Sequence, residues 1–522
     1  MSTPRPESSD LEGGAGSKFV LQMRVLAALS ALLALVSLWS VERADIRHDL
    51  QLAAEPSARP GELLALRALL FRDVDAAEGP TLATAPTTVR LRDREGRELV
   101  RAELSATPLD TLDGELRLPA SVAGEFTLEA ESTLAGQPLT CRRALRVAVD
   151  APLPRLRGRE AGALQQLSLG RVHAKSAAAT PEPLLPRIVG GACVPDLRCQ
   201  MLVWVGEPAA AISLRTNGSA ELLHPPRPEQ ETSGLVSLWL IVRGPDAEVT
   251  LQARRAGELV AERALRLPVG LGEVAMQARA SIVYPTQVSF EYAPPPGREQ
   301  VLADFFVEGR WRASRVLRSI DADQAYGSPE VYPESGLLRV QVHADRFGAE
   351  SSGARLFYVR APGEGDLEAL ERLGELAASS MALSGLAPSS PRRLSAAALA
   401  DPQQAAAFLL APLEELRLPV PRALSSRPSQ LHGLERRRVR MRFGVAGSLV
   451  VSALVIALSI AKRGLRATDE AEAILAASRD EGATSPPGER LRARIRVLLL
   501  VLAVVSAFLA GALLIAAKPL WF

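Results

Sequence analysis

Lysine and asparagine are nearly missing from this chain. Of its 61 basic residues only Lys18, Lys175, Lys462 and Lys518 are lysine, and Asn217 is the one asparagine. With so much arginine, alanine, leucine and proline, the skew reads as GC-rich coding rather than function. Net charge is also nearly absent, at +2, with acids and bases interleaved along the sequence. No basic face suited to phosphates stands out, which argues against nucleic-acid binding. The five histidines, His48, His173, His224, His343 and His432, form no i, i+4 pair and no H-E-x-x-H, so a metalloprotease is not indicated. G-x-S-x-G, the P-loop and G-x-G-x-x-G are all missing. A Ser/His/Asp triad needs no sequence proximity and is neither excluded nor suggested. Three cysteines remain, and Cys193 and Cys199 enclose the five residues Val-Pro-Asp-Leu-Arg. In an exported domain they make a small disulfide loop; in a cytosolic one they would be two buried thiols. A zinc site would need two further ligands that are not nearby. No metal, cofactor or catalytic residue is expected.

Three long apolar segments are present: Val25 to Val41, Phe443 to Ala461 and Val497 to Ala517. At 1.5 Å per residue they reach about 26, 28 and 31 Å, against a hydrocarbon core of about 30 Å. Three transmembrane helices are therefore expected, the first over 18–42, the others over 443–461 and 497–517. None holds an internal Asp, Glu, Lys or Arg, so a transporter core is not expected. Gly444, Gly447 and Ser448 in the second and Gly511 in the third are helix-packing candidates, for each other or for a partner helix. The connection 462–496 carries Lys462, Arg463, Arg466, Arg479, Arg490, Arg492, Arg494 and Arg496 and is expected in the cytoplasm, together with the tail 1–17. Residues 42–442 then face outward. Arg436, Arg437, Arg438, Arg440 and Arg442 run against that rule, since they precede the second segment on the outer side.

Between the first two segments the pattern is of short alternating runs. Thr88–Arg92 alternates, Asp93-Arg94-Glu95-Gly96 turns, and Glu98–Leu104 alternates again, a hairpin. Glu115–Pro119 and Gly124–Ala130 add strands, so 60–150 reads as a β-sandwich. Residues 151–185 form a Pro/Ala/Arg-rich linker. A second sandwich is expected over 186–270, with a hairpin turning at Ala256-Gly257, and a third over 271–362. From 363 to 435 the pattern is helical: Asp366 caps one helix and Asp401-Pro402 starts another that Pro412 interrupts. This connector is expected to be a stalk packed on the third module, the alternative being a partner-docking surface. Thr468 caps a further helix, Asp469–Arg479. Asn217-Gly218-Ser219 is a turn, and the acidic runs Asp73–Gly79 and Asp321–Gly327 are solvated turns rather than calcium loops.

Pro60-Gly61-Glu62, the Asp93–Gly96 hairpin, Gly114 with Leu116–Pro119 and Gly124–Leu128 resemble the MG2 domain of bacterial alpha-2-macroglobulin-type proteins. The resemblance covers residues 60–150 and implies a fibronectin-like sandwich with no catalytic residue. The Cys-Gly-Glu-Gln thioester motif of many macroglobulins is missing, which argues against covalent protease trapping. The fold class expected is mainly β: tandem antiparallel sandwiches, a helical connector and three transmembrane helices. The function expected is a binding or scaffolding protein of the bacterial inner membrane, not an enzyme. Its large region would face the periplasm, partnered by the bilayer and an envelope protein. An accessory subunit docked through the second and third helices is the alternative.

Overall fold

A computed structural model describes 46–74, 79–152, 165–166, 184–205, 211–224, 234–284, 288–318, 324–325, 335–345, 352–379, 400–414, 418, 420–477 and 488–517, with eight positions between 25 and 39. The chain forms two units, His48–Ser426 and the helical segments on either side of it. The larger is mainly β; the smaller is helical.

Period-two alternation writes the first module. Thr87–Arg92 buries every second residue, and it pairs with Glu98–Ala106 on one side and Gly124–Leu134 on the other. The turn between the first two strands is closed by Asp93, whose carboxylate accepts the Arg97 amide at 2.8 Å. Ten strands fold into two faces around Leu50, Leu66, Val89, Leu91, Leu128 and Leu145. At Gly114 a Cβ would stand 2.7 Å from Leu104 Cδ2, so any side chain there would push the Leu104 side chain aside. Where the sequence reading begins this sandwich at residue 60, the structure begins it at His48. Strand His48–Ala53 pairs with Leu63–Arg72 and then with Leu424–Ser425, from the far end of the unit. That last strand falls inside the expected helical connector; a two-residue strand carries no periodicity by which to find it.

The second module stacks the sheet Leu184–Ile188, Arg198–Val205, Leu235–Val242, Ala220–His224 on the sheet Gln165–Gln166, Glu258–Arg266, Glu248–Arg255, Ala211–Thr216. Gln165–Gln166 lies in the expected linker, so the linker contributes an edge strand. Asn217-Gly218 does turn the chain, with Gly218 at φ 86°, but it joins strands of two different sheets rather than a hairpin. The third module pairs Gln300–Val307 with Arg310–Arg318 and with Gly336–His343, which pairs in turn with Ser352–Val359.

Two helices fill the space between the second and third modules. Asp366–Ser379 and Pro402–Glu414 share a core with Val189, Leu202 and Leu235 of the second and Ile282, Leu356 and Tyr358 of the third. The connector is thus an interior layer touching two modules, not a stalk on one. Pro402–Glu414 is buried continuously from Ala405 and runs through Pro412, which ends no helix here.

In the helical unit, Arg427–Ala477 and Gly488–Ala517 are the two long helices. Two stretches, Arg427–Gly464 and Arg494–Ala517, are long and apolar enough to cross a membrane. The first apolar segment is described at eight positions, all helical, and is not among those two. The separate helix expected at Asp469 is instead the continuation of Arg427–Ala477, so Thr468 lies mid-helix.

Candidate functional site

Charged residues stand at inward positions of several strands, and together they form a seam between the first and third modules. Arg67 projects from the otherwise apolar Leu63–Arg72. Its guanidinium donates to Asp113 at 3.2 Å, to Asp304 at 2.7 Å and to Ser314 at 2.6 Å. Asp304, 0% exposed, also accepts from the Trp311 indole at 3.1 Å and from the Ser314 hydroxyl. His343 Nε2 lies 3.0 Å from its other oxygen. Burial alone would push the Asp304 carboxyl up, but Arg67, His343 and Ser314 outweigh it and hold it far below the usual range. Beside them Glu55 accepts the Trp311 amide at 2.6 Å and stands 3.6 Å from Arg310. Arg310 also reaches Glu62, and Arg312 donates to the same carboxylate. Glu55 is pushed up to about 7, chiefly by burial.

Asp304, His343 and Ser314 are the residue types of a hydrolytic triad, yet their arrangement is different. Ser314 donates to the carboxylate, not to the imidazole, so no base faces its hydroxyl, and all three are buried. The seam does structural work. A second buried set seats the helical layer: Glu414 bonds Arg355 at 3.0 Å and accepts the Gly190 amide at 2.7 Å and the Leu356 amide at 3.0 Å. Neither set was found from sequence. The available signal was a single charge inside an apolar run, as in Leu-Ala-Leu-Arg-Ala-Leu-Leu and Leu-Ala-Pro-Leu-Glu.

Where the second module, the third module and the start of helix Pro402–Glu414 meet, a cavity of about 320 Å³ opens. Its walls include Trp239, Gln200, Gln277, Gln403 and Gln404. Three arginines there, Arg198, Arg279 and Arg355, balance Glu273, Glu291 and Asp401, so the lining is neutral and rich in donors and acceptors. Gly353, in its lining, leaves no room for a side chain: a Cβ would lie 2.3 Å from the Val274 carbonyl oxygen. Such a cavity can hold a neutral polar group; it is of the size ligand pockets have. Cys193 and Cys199 are bonded to each other near its rim, with Cα atoms 5.2 Å apart. Cys141 is buried, donates to the Leu424 carbonyl, and is pushed up to about 11 by burial.

Among the described residues no group of three His, Cys, Asp or Glu side chains converges as metal ligands do. His173, Asp75, Glu78 and Asp321–Gly327 lie outside the described residues, apart from Gln324 and Ala325. In the helical unit, the packed side of Arg427–Ala477 runs through Val445, Ala446, Leu449, Ala453 and Ala457, with Leu38 and Ala512 against it. Gly444 and Gly447 are exposed, and nothing lies within 4 Å of a Cβ built on either or on Gly511. Ser448 is half-buried and donates to the Val445 carbonyl. The close approach comes at Gly464, where a Cβ would stand 2.5 Å from Val497.

No family model and no curated protein matches the sequence. Solved structures that align include Salmonella alpha-2-macroglobulin reacted with methylamine, 14% identical over 59% of this chain and 23% of that one, TM-score 0.16. Escherichia coli alpha-2-macroglobulin activated by porcine elastase aligns at 16% identity over 61% of this chain and 31% of that one, TM-score 0.18. The I67–I69 fragment of titin aligns at 12% over 61% and 99%, TM-score 0.13. This chain therefore spans less than a third of either macroglobulin it is aligned with. At 12–16% identity and TM-scores under 0.2 these likenesses add nothing to the β-rich fold described above.

Proposed function

We propose that the chain is a membrane-anchored scaffold or binding protein whose His48–Ser426 body is displayed outside the cytoplasm, in a bacterial envelope, for contact with another protein. The observation that carries this reading is the use made of the buried charges. Arg67, Asp304, Arg310, Glu55 and Glu414 tie modules and helices to one another, so the body offers one rigid surface instead of beads on a string. Rigid surfaces lose little entropy on binding. The Cys193–Cys199 bridge supports an oxidising location for the body, and the two apolar stretches of the helical unit support the anchor.

Cross-linking of the tagged protein in intact membranes, followed by mass spectrometry, tests this. Links from residues 48–426 to an envelope protein are the expected result. Recovery of the body unlinked to any partner, or labelling of a cysteine introduced on its surface that shows it on the cytoplasmic side, would overturn the reading. A stoichiometric partner linked through the two long helices alone would favour an accessory subunit.

A further inference from the structure

The helix Arg427–Ala477 has two faces, and the outward one has a use that anchoring leaves unexplained. The packed face is followed by Arg438, Arg442, Val445, Leu449 and Ala453, at spacings of three and four. The opposite face runs Arg436, Arg440, Gly444, Gly447, Val451, Leu454 and Leu458, again at spacings of three and four, with Arg437 beside its first turn. All of these residues are exposed, Val451 at 61% and Leu458 at 68%. Three arginines thus stand at the end of a continuous apolar stripe on one side of one helix. Glu435 is the one carboxylate between Arg427 and Ala461.

We propose that this face binds an anionic glycerophospholipid, its phosphate held by Arg436, Arg437 and Arg440 and an acyl chain laid along Val451, Leu454 and Leu458. This rests on the membrane reading above. The charges fit: three guanidiniums with little local compensation meet a phosphodiester, to which arginine donates in bidentate fashion. The depth fits as well. At 1.5 Å per residue Arg440 lies about 4.5 Å and Arg436 about 10 Å beyond Phe443, so their long side chains reach a headgroup layer some 5–8 Å deep. Below the arginines, Gly444 and Gly447 offer no side chain, so the glycerol and the first methylenes approach the backbone unobstructed. A zwitterionic lipid presents the same phosphate with a choline that the arginines repel. The same arginines, which run against the charge rule for an outward-facing segment, are accounted for as ligands rather than as topology signals.

The test uses the full chain in nanodiscs of phosphatidylcholine with and without phosphatidylglycerol, and native mass spectrometry counts the lipids retained. Wild type should retain phosphatidylglycerol in preference to phosphatidylcholine, and the preference should weaken in high salt. At about fivefold per arginine, the triple substitution Arg436→Gln, Arg437→Gln, Arg440→Gln should lower it on the order of 100-fold, while the protein still enters nanodiscs of either composition. Gly447→Leu, where nothing lies within 4 Å, should fold normally and weaken retention. An unchanged preference in the triple variant overturns the proposal, as does a dimer through this face that Gly447→Leu breaks. Inorganic phosphate competing as well as the lipid would place the specificity in the phosphate alone and overturn the acyl seat. Failure of wild type to enter any nanodisc would overturn the membrane reading instead.

Discussion

Replacing Asp304 with asparagine probes how the first and third modules are held together. Asparagine keeps an oxygen where Arg67, Trp311 and Ser314 donate, and it turns an amide towards His343. Shape and most hydrogen bonds survive; the charge does not. Arg67, 3% exposed, is then left with Asp113 as its one close carboxylate, 3.2 Å away. Removing one partner of a buried ion pair costs about 3–5 kcal/mol, and the surviving partner puts this case near about 3. Urea unfolding of the full chain in detergent measures it, with tryptophan emission as the signal; one of the five tryptophans, Trp311, has its ring 5.2 Å from the Arg67 guanidinium carbon. Pairing the substitution with Arg67→Met should recover at least about 1 kcal/mol, because the isolated charge is removed with its partner. Asp304 itself remains ionised throughout pH 5 to 8, so its own protonation adds no pH dependence to the deficit there. A loss under about 1 kcal/mol would refute the reasoning and assign the seam's strength to packing around Trp311.

Glu55 gives the opposite pH behaviour. Its folded value, about 7, lies above its unfolded one, so the protonated form is favoured by folding; that stability is complete below about pH 4.5 and is lost as pH rises through 7. Glu55→Gln should flatten a fall of about 3 kcal/mol between pH 5 and 8, and an unaltered pH profile in the variant would assign the titration elsewhere. Substituting Cys193 and Cys199 together with serine should cost about 2 kcal/mol, the entropy of so short a loop, read as a lower urea midpoint. In the helical unit, Gly464→Ile should lower the melting temperature in detergent and Gly447→Ile should not, because only the former meets Val497; equal effects would contradict the helix contact described.

Local signals were easy to read in the sequence. The Asp93–Gly96 turn, the hairpin at Ala256-Gly257 and the two longest apolar runs rest on residues close together in the chain, where pattern and chemistry coincide. What escaped was set by long-range partners. Strand His48–Ala53 is covered on both faces although His48, Asp49 and Gln51 stand among its six residues, so polarity did not mark it as interior, and its neighbour Leu424–Ser425 lies over 370 residues away. The seam charges were passed over since Arg67 or Asp304 alone, inside an apolar run, is indistinguishable from an edge residue until its counter-charge arrives from another module. Gly444 and Gly447 were singled out for their size, but size does not say which way a helix face turns. The neighbours decide that, and here they sit on the other side.

The pairing of His48–Ala53 with Leu424–Ser425 has a mechanical consequence. Asp49 accepts the hydroxyls of Ser425 and Ser426 at 2.8 Å, so the strand entering the body and the strand leaving it are clamped together. Because they run antiparallel, both chain ends leave from the same end of the pair, about 5 Å apart. The two ends of the body therefore lie side by side at one edge of its sheet. Tension drawn across these ends would load the two residue pairs one after the other before it reached the six by which His48–Ala53 joins Leu63–Arg72. By the same geometry a tight turn is long enough to join those two ends directly.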